Sequence, residues 1–538
     1  MHRVQAPLNG GKRQMASKTR TFFLNAISLT ASAILMRAIG MLFSAIVANK
    51  AGSEAMGLYS LLGSVYAFAI TLATAGINLG TTRVISDALG VGDEALAKRS
   101  ASKAILICMA TGGAATLILL AFAGVIGENL LGDARTVTPL RILALTLMPI
   151  AICSCLSGYF TAVRRVKVNA AAQVVIQFIR IGATVFFLSF MVDQGTEKAC
   201  IALVLGGALS EFLSLLFTFS LYLIDRRRLK GKITVENSGG TVKKLLSITL
   251  PVTFSACIRS ALSMVQHILV PRGLKASGRS WEAALSSYGA LHGMAMPLIL
   301  FPSAITSAFS GLLIPEISEC CVTGDSERLK RVSYRALTLS LAFSIGVSGI
   351  ILFFSEQFGM LIYGNAETAT YIRIMAPLIP VMYIDSTVDA ILKGSGHQVY
   401  SMNVNIADTL TACLFALFLI PHLGIWGYVI SIYATEILNT SLSLIKMAKI
   451  SQIKFKIFHQ IVMPIICIVG ATNLSLLIIR LLHFPISGAL SLTLGVIFTV
   501  AFYIAFLLMT KTVGKDEKEF LYPALMTEKS YNKRFRSI

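Results

Sequence analysis

Three arginines, Arg37, Arg180 and Arg259, stand inside long apolar runs of this chain. A guanidinium in hydrocarbon costs about 2.5 kcal/mol or more even on lenient insertion scales, so a chain that keeps several has aimed them at something anionic. The planar guanidinium fork stays charged and matches phosphate oxygens bidentately, which suits a phosphate-bearing ligand better than lysine would. Helical periodicity puts polar neighbours beside each arginine. Ser44 shares the face of Arg37, and Ser255, Ser263 and Gln266 share that of Arg259. Gln173, Gln177 and Arg180 form a third stripe at i, i+4 and i+7.

Internal ion pairing is the competing reading. Glu211 could neutralise Arg180, and Asp385 and Asp389, one turn apart, could neutralise Arg37 or Arg259. For Arg180 ligand contact and pairing remain evenly matched, whereas Arg37 and Arg259 together favour a ligand. The acids also support ion coupling, to a proton, a sodium ion or the membrane potential. Asp385 and Asp389 follow Pro377 and Pro380, and proline near a charged turn opens backbone carbonyls for a cation. A solvated or paired turn at the end of the helix is the alternative there. Asp408 is a further candidate, because it aligns with Arg180 in the internal repeat described below, while Glu211 aligns with Glu436. His267 and His292 read as satisfied core or pore residues.

The elements that must hold these groups are membrane helices. Hydrophobic residues make up 55% of 538 and charged residues 14%, with mean hydropathy +0.75, far from a soluble domain. Fourteen segments reach spanning length: 21–48, 56–82, 101–125, 137–161, 168–191, 199–224, 245–271, 283–314, 333–354, 369–392, 401–420, 423–445, 457–479 and 485–510. The net charge of +21 falls in short segments between them, as positive-inside topology requires, and not on one nucleic-acid-binding face. Loops after the even spans carry the dense clusters, such as Arg226, Arg227, Arg228 and Lys230. Both termini are then expected in the cytoplasm. The first span has a basic leader but no clear cleavage site and reads as retained.

The chain also contains itself twice. Ile85-Ser86-Asp87, Gly92-Asp93 and Lys98-Arg99 recur 232 positions on as Ile317-Ser318-Glu319, Gly324-Asp325 and Lys330-Arg331. The same shift maps Gly132, Thr136, Thr138, Arg141 and Ile142 onto Gly364, Thr368, Thr370, Arg373 and Ile374. One register held through two loops marks duplication, and the repeat relates span 7, which carries Arg259, to span 1, which carries Arg37. The expected fold is therefore an all-α membrane protein of about 14 transmembrane helices. Two six-helix repeats in parallel orientation flank a central cavity, and two further helices follow. The expected divisions are a basic tail 1–20, a first bundle 21–225, a basic linker 226–244, a second bundle 245–448, helices 13 and 14 within 449–510, and a tail 511–538. Parallel six-helix halves imply alternating access about a site near the midplane.

Other classes fall away. The glycines form no phosphate-binding loop, no helix carries two histidines at metal spacing, and the longest hydrophilic loop, Asp225 to Lys244, is too short for a catalytic domain. Neither a cofactor nor a metal is expected. Cys108, Cys153, Cys155, Cys257, Cys413 and Cys467 lie in apolar segments as small fillers, and a reducing compartment disfavours pairing of Cys320 with Cys321.

Several strings carry a family likeness: Gly57-Leu58-Tyr59, Gly158-Tyr159-Phe160, Gln173 to Arg180, Ser210 to Leu216, Tyr288-Gly289 through Met296 to Phe301-Pro302-Ser303, and Leu313-Ile314-Pro315 with Glu319. They resemble the stage V sporulation protein B branch of the polysaccharide flippases, in the multidrug/oligosaccharidyl-lipid/polysaccharide exporter superfamily. The resemblance implies a multi-pass protein of the bacterial plasma membrane, moving an undecaprenyl-diphosphate-linked saccharide from the inner to the outer leaflet for cell wall, spore cortex or polysaccharide. It also implies cell-wall synthesis enzymes as partners and a groove for the polyprenyl tail at the last two helices. Lipid II flippases of the superfamily share the turn from Arg37 to Gly40, but have an arginine-aspartate pair where this chain has Phe43 and Ser44, and an arginine near Leu291 or His292. Those departures point away from lipid II itself and leave another lipid-linked sugar open. The multidrug antiporters commonly carry an aspartate in span 1, where this chain has Arg37. On these grounds Arg37, Arg259, Arg180, Gln173, Gln177, Ser263 and Gln266 are the expected ligand-binding set. A cation-coupled exporter of small amphiphiles and a nontransporting scaffold for wall synthesis stand as alternatives.

Overall fold

The computed structural model describes residues 9–74, 76–227, 239–453, 455–481 and 488–510 together with Thr512; side chains of 9–34, 166–170, 239–244, 246, 248 and 251 lie outside the description. Among the described residues every element is helical, and thirteen helices are long and apolar enough to cross a membrane. α1 (Asn9–Thr74) is two helices that meet at a kink at Gly52, between the first two expected spans, where the φ of 81° is one that only glycine adopts freely. It continues past Gly76 into α2 (Ile77–Gly90).

α3 (Glu94–Val125), α4 (Val137–Ala162), α5 (Val166–Met191) and α6 (Thr196–Arg226) complete the first half. The second half opens with α7 (Gly239–Ala276), a continuous helix that is not among the thirteen apolar spans. The expected span 283–314 is divided. α8 (Trp281–Tyr288) widens into a π turn at Gly289–Ala295 and gives way to α9 (Met296–Leu300). Pro302, which has no N–H to donate, then breaks the helix before α10 (Ser303–Thr323).

α11 (Ser326–Phe353), α12 (Ser355–Tyr363), α13 (Ala366–Met375), α14 (Ile379–Gly394), α15 (Gln398–Phe418), α16 (Ile420–Leu423) and α17 (Ile425–Ser451) follow. α18 (Met463–Leu481) and α19 (Ala489–Met509) pack together and against α11, where Tyr503 Oη donates to the Ala342 carbonyl at 2.6 Å. Within the expected tail 1–20 the backbone is helical from Asn9, with nothing between Lys12 and Arg20 to interrupt the helix. Most of the expected linker and nearly all of the expected tail 511–538 lie outside the described residues.

The duplication is visible in hydrogen bonds at one constant shift. Asp93 and Asp325 each follow a left-handed glycine, cap the next helix through the side chain, and donate their backbone N–H to the carbonyls of Ala88 and Cys320. Asp133 and Asn365 likewise follow left-handed Gly132 and Gly364 and donate to Gly127 and Gly359. Thr116 bonds the Ala144 carbonyl at 3.0 Å, and Ser348 bonds that of Ala376 at 2.8 Å. All these pairs are 232 apart. The dyad between the halves passes close to Gly57 and Gly289, also 232 apart. A Cβ on Gly289 would stand 1.9 Å from the Ser53 carbonyl and 2.5 Å from Gly57 N.

Burial follows the logic of lipid as solvent. Large apolar side chains such as Leu117, Phe190 and Phe418 are exposed, while Thr81, Thr136, Thr146, Ser210, Ser333 and Thr387 are fully buried. Without water to drive apolar residues inward, helices associate through small residues and hydroxyls bonded to neighbouring backbone.

Candidate transport site and its relatives

The loops after odd-numbered spans converge on one face. Arg135 pairs with Glu54 at 2.8 Å and with Asp133 at 2.7 Å, Thr196 donates to Glu54 at 3.2 Å, and Trp281 Nε1 reaches across from the second half to Asp133 at 2.8 Å. Arg272 donates to the Asn129 carbonyl at 2.5 Å, and the Ser53 and Ser286 hydroxyls lie 2.7 Å apart. Burial pushes the Asp133 carboxyl pKa up, but the hydrogen bonds from Arg135 and Trp281 outweigh it and hold the pKa below the ordinary 3.8. At this face the halves are joined.

Between the halves lies a cleft of about 470 Å³ lined by Thr71, Thr74, Ala256, Arg259, Ser260, Ser263 and Thr409. α7 supplies the arginine and two serines, α15 supplies Thr409, and α1 of the opposite half supplies the two threonines. Thr71 donates to Ser260 across the interface at 3.2 Å. Among the described residues neither Arg259 nor Arg37 has an ion-pair or hydrogen-bond partner, and both are exposed. Arg37 does not line the Arg259 cleft; its charge instead acts on Tyr383 of α14.

The remaining expected residues divide sharply. Arg180 is paired: Nη2 meets Glu211 Oε1 at 2.5 Å and Nε donates to Ser210 at 3.2 Å, in the surroundings of Tyr59 and Tyr66. Gln177 approaches Gly40 of α1, one turn from Arg37: a Cβ there would lie 3.7 Å from Nε2. Gln173 is exposed on α5, and Gln266 is partly buried on α7 outside the cleft lining. Asp389 pairs with Lys393 at 2.5 Å and accepts from Ser401. Asp385 feels Asp389 on its own helix and then Asp408, and Glu436 is close enough to feel both Asp408 and Asp385; Asp408 Oδ1 is buried without a hydrogen-bond partner. His267 Nδ1 lies 3.1 Å from Tyr288 Oη, and the His267 and His292 rings are 4.5 Å apart.

Sequence reasoning did not single out Thr71, Thr74, Ser260 or Thr409. Their signal was faint. Thr71 and Thr74 map at the 232 shift onto Ser303 and Thr306, a duplicated hydroxyl pair in otherwise apolar helix.

The duplicated helical bundle has the fold of membrane transporters, and its family matches make it a transporter of that class. The chain belongs to the family described as "Polysaccharide biosynthesis protein", whose pattern matches residues 22–321, within the multidrug/oligosaccharidyl-lipid/polysaccharide exporter superfamily. The MatE pattern also matches residues 251–418.

Among curated relatives, stage V sporulation protein B of Bacillus subtilis (strain 168) is 29% identical over 93% of this chain and 97% of its own length. The lipid II flippase MurJ of the same organism is 23% identical over 70% of this chain and 73% of its own length. Among solved structures, an inward closed lipid II flippase MurJ aligns with TM-score 0.66 at 13% identity, covering 90% of this chain and 99% of that one. An inward-facing multidrug resistance MATE transporter aligns with TM-score 0.63 at 18% identity, covering 79% and 99%.

Proposed function

We propose that this protein flips an undecaprenyl-diphosphate-linked saccharide from the inner to the outer leaflet of a bacterial plasma membrane by alternating access. Its termini lie in the cytoplasm, and enzymes of wall or polysaccharide synthesis make and consume the cargo. The observation that carries this reading is the different fate of three buried-segment arginines. Arg180 is neutralised by Glu211, whereas Arg259 is left open in the cleft between the halves and Arg37, outside that cleft, acts on Tyr383. An uncompensated guanidinium fits a diphosphate, which carries at least two negative charges and many acceptor oxygens. The likeness to the sporulation protein and the lipid II flippase supports a lipid-linked cargo.

The acidic group Asp385, Asp408 and Glu436 in the second half is the proposed place for gradient coupling, by proton or sodium. The same group favours a second reading, a cation-coupled exporter of small amphiphiles. The test is leaflet-specific labelling of lipid-linked saccharides in cells carrying Arg37→Ala or Arg259→Ala at normal protein levels. Accumulation on the cytoplasmic side is expected, with partial rescue by lysine. Unchanged labelling in both variants would overturn the flippase reading.

A further inference from the structure

The cleft around Arg259 has chemistry that a lone arginine would not supply. Five hydroxyls, from Thr71, Thr74, Ser260, Ser263 and Thr409, surround one guanidinium. Four of them have backbone or side-chain outlets: Thr71 reaches the Ala67 carbonyl or Ser260, Thr74 that of Ile70, and Thr409 that of Asn405, while Ser260 accepts from Thr71. Ser260 is the one whose acceptor side is engaged across the interface. A hydroxyl that accepts a hydrogen bond becomes a better donor through its own proton, because the bonds polarise one another. When Thr71 gives its one proton to Ser260 at 3.2 Å and not to the Ala67 carbonyl at 2.8 Å, the Ser260 O–H is left free and strengthened as a donor beside Arg259, and this arrangement exists only while α1 and α7 of opposite halves are this close.

We propose that the Arg259 cleft is a diphosphate-binding station completed in trans, with Ser260 donating to a phosphate oxygen and Thr71 of the other half acting as its positioning residue. The proposal rests on the flippase reading above and assigns it a division of labour. Arg37, acting beside Tyr383, is not part of this station. Where Arg259 has Ser260 and Ser263 one and four residues on, Arg37 has Ala38 and Met41. Of the two arginines only that of α7 has hydroxyls at these positions, and α1 completes its station with Thr71 and Thr74. A ligand seated there touches both halves, so its binding energy favours the arrangement in which Thr71 meets Ser260, and its release accompanies their separation.

The experiment uses the full-length protein in lipid nanodiscs with farnesyl diphosphate as probe and farnesol as the uncharged control. Thr71→Val keeps shape but removes the hydroxyl. It is expected to weaken farnesyl diphosphate binding about tenfold, or about 1.4 kcal/mol, with farnesol unaffected and with Thr71→Ser restoring affinity. Ser260→Ala should match Thr71→Val, and the double variant should add little, because both remove one chain of bonds. Wild-type affinity in Thr71→Val and Ser260→Ala, with binding lost in Arg259→Ala, overturns the trans station and leaves the flippase reading standing. Wild-type affinity and normal saccharide flipping in both Arg37→Ala and Arg259→Ala defeat the flippase reading itself.

Discussion

Adding one methyl group at the dyad tests whether the halves meet as described. A Cβ on Gly289 would stand 1.9 Å from the Ser53 carbonyl oxygen, about 1.5 Å short of the 3.4 Å at which ordinary contact begins, and the obstructing atoms are backbone of a continuous helix. Gly289→Ala cannot be absorbed by a side-chain rotation. Overpacking of this kind costs about 1–3 kcal/mol, and displacing α1 also breaks the 2.7 Å bond between Ser53 and Ser286, worth about 1 kcal/mol. A penalty of about 3 kcal/mol is expected if the joined face is kept. Because the halves can separate instead, the same penalty appears as a shift of roughly 150-fold toward the parted state. A cysteine introduced at Ala55, fully buried at the crossing, reads this directly in a background where exposed Cys321 is replaced by serine. Labelling by a membrane-impermeant maleimide should be slow in the parent and fast in Gly289→Ala. Gly57→Ala should do the same, since its Cβ meets the Leu285 carbonyl at 2.0 Å. Unchanged labelling and an unchanged Tm in either variant would refute the placement of the dyad.

Two further outcomes follow from the charge networks. The Asp133 carboxyl is held below its ordinary 3.8, so its contribution is complete above that value and is lost as pH falls through the lower folded-state value. Thermal unfolding in detergent should show no dependence on this group between about pH 5 and 8 and a fall below about pH 4, and Asp133→Asn should remove about 1–2 kcal/mol at neutral pH while abolishing that acid limb. At Arg180 the partners are 38% and 18% exposed at their side chains, so Arg180→Ala or Glu211→Ala should each cost about 1–2 kcal/mol, and the double variant should recover part of the loss in the same assay. Additive losses would show that the two side chains act independently.

Much of the fold could be read from residue patterns because membrane helices are dictated by length and apolarity, and because the repeat carried its own punctuation. Gly92-Asp93 and Gly132-Asp133 recur as left-handed turns with caps since no other residue types serve those positions as cheaply. Two things were not legible. Pro302 redirects the helix inside a run that read as uniformly apolar, so the eighth span divided, whereas the break at Gly52 falls between the first two expected spans. Pairing was likewise hidden. Helical periodicity set Gln173, Gln177 and Arg180 on one face, yet it could not say that Glu211, from a different helix, would take the arginine.

The divergence of the halves is where function departs from duplication. Turns, caps and several loop charges are kept between copies at the 232 shift, whereas other charges invert: Arg135, bonded to Glu54 and Asp133, has Glu367 as its counterpart, which accepts from Ser287 at 2.8 Å and Tyr371 at 2.6 Å. Within the membrane, the Arg180–Glu211 pair of the first half is answered in the second by Asp408 and Glu436, joined by Asp385. A symmetric cavity would attract the same ion on both sides of its axis and give a moving anion no direction. With Glu211 neutralised in the first half and open carboxylates gathered in the second, this cavity can hold an anion at Arg259 and a cation at the acidic group without the two sites cancelling. Cation occupancy there would relieve repulsion among the carboxylates and, through α15, which carries both Asp408 and the cleft residue Thr409, couple to the station beside Arg259. Neutralising Asp408 and Glu436 together should therefore uncouple transport from the gradient while leaving diphosphate binding in place. Loss of diphosphate binding in that variant would mean that the acids shape the anion site and do not couple it.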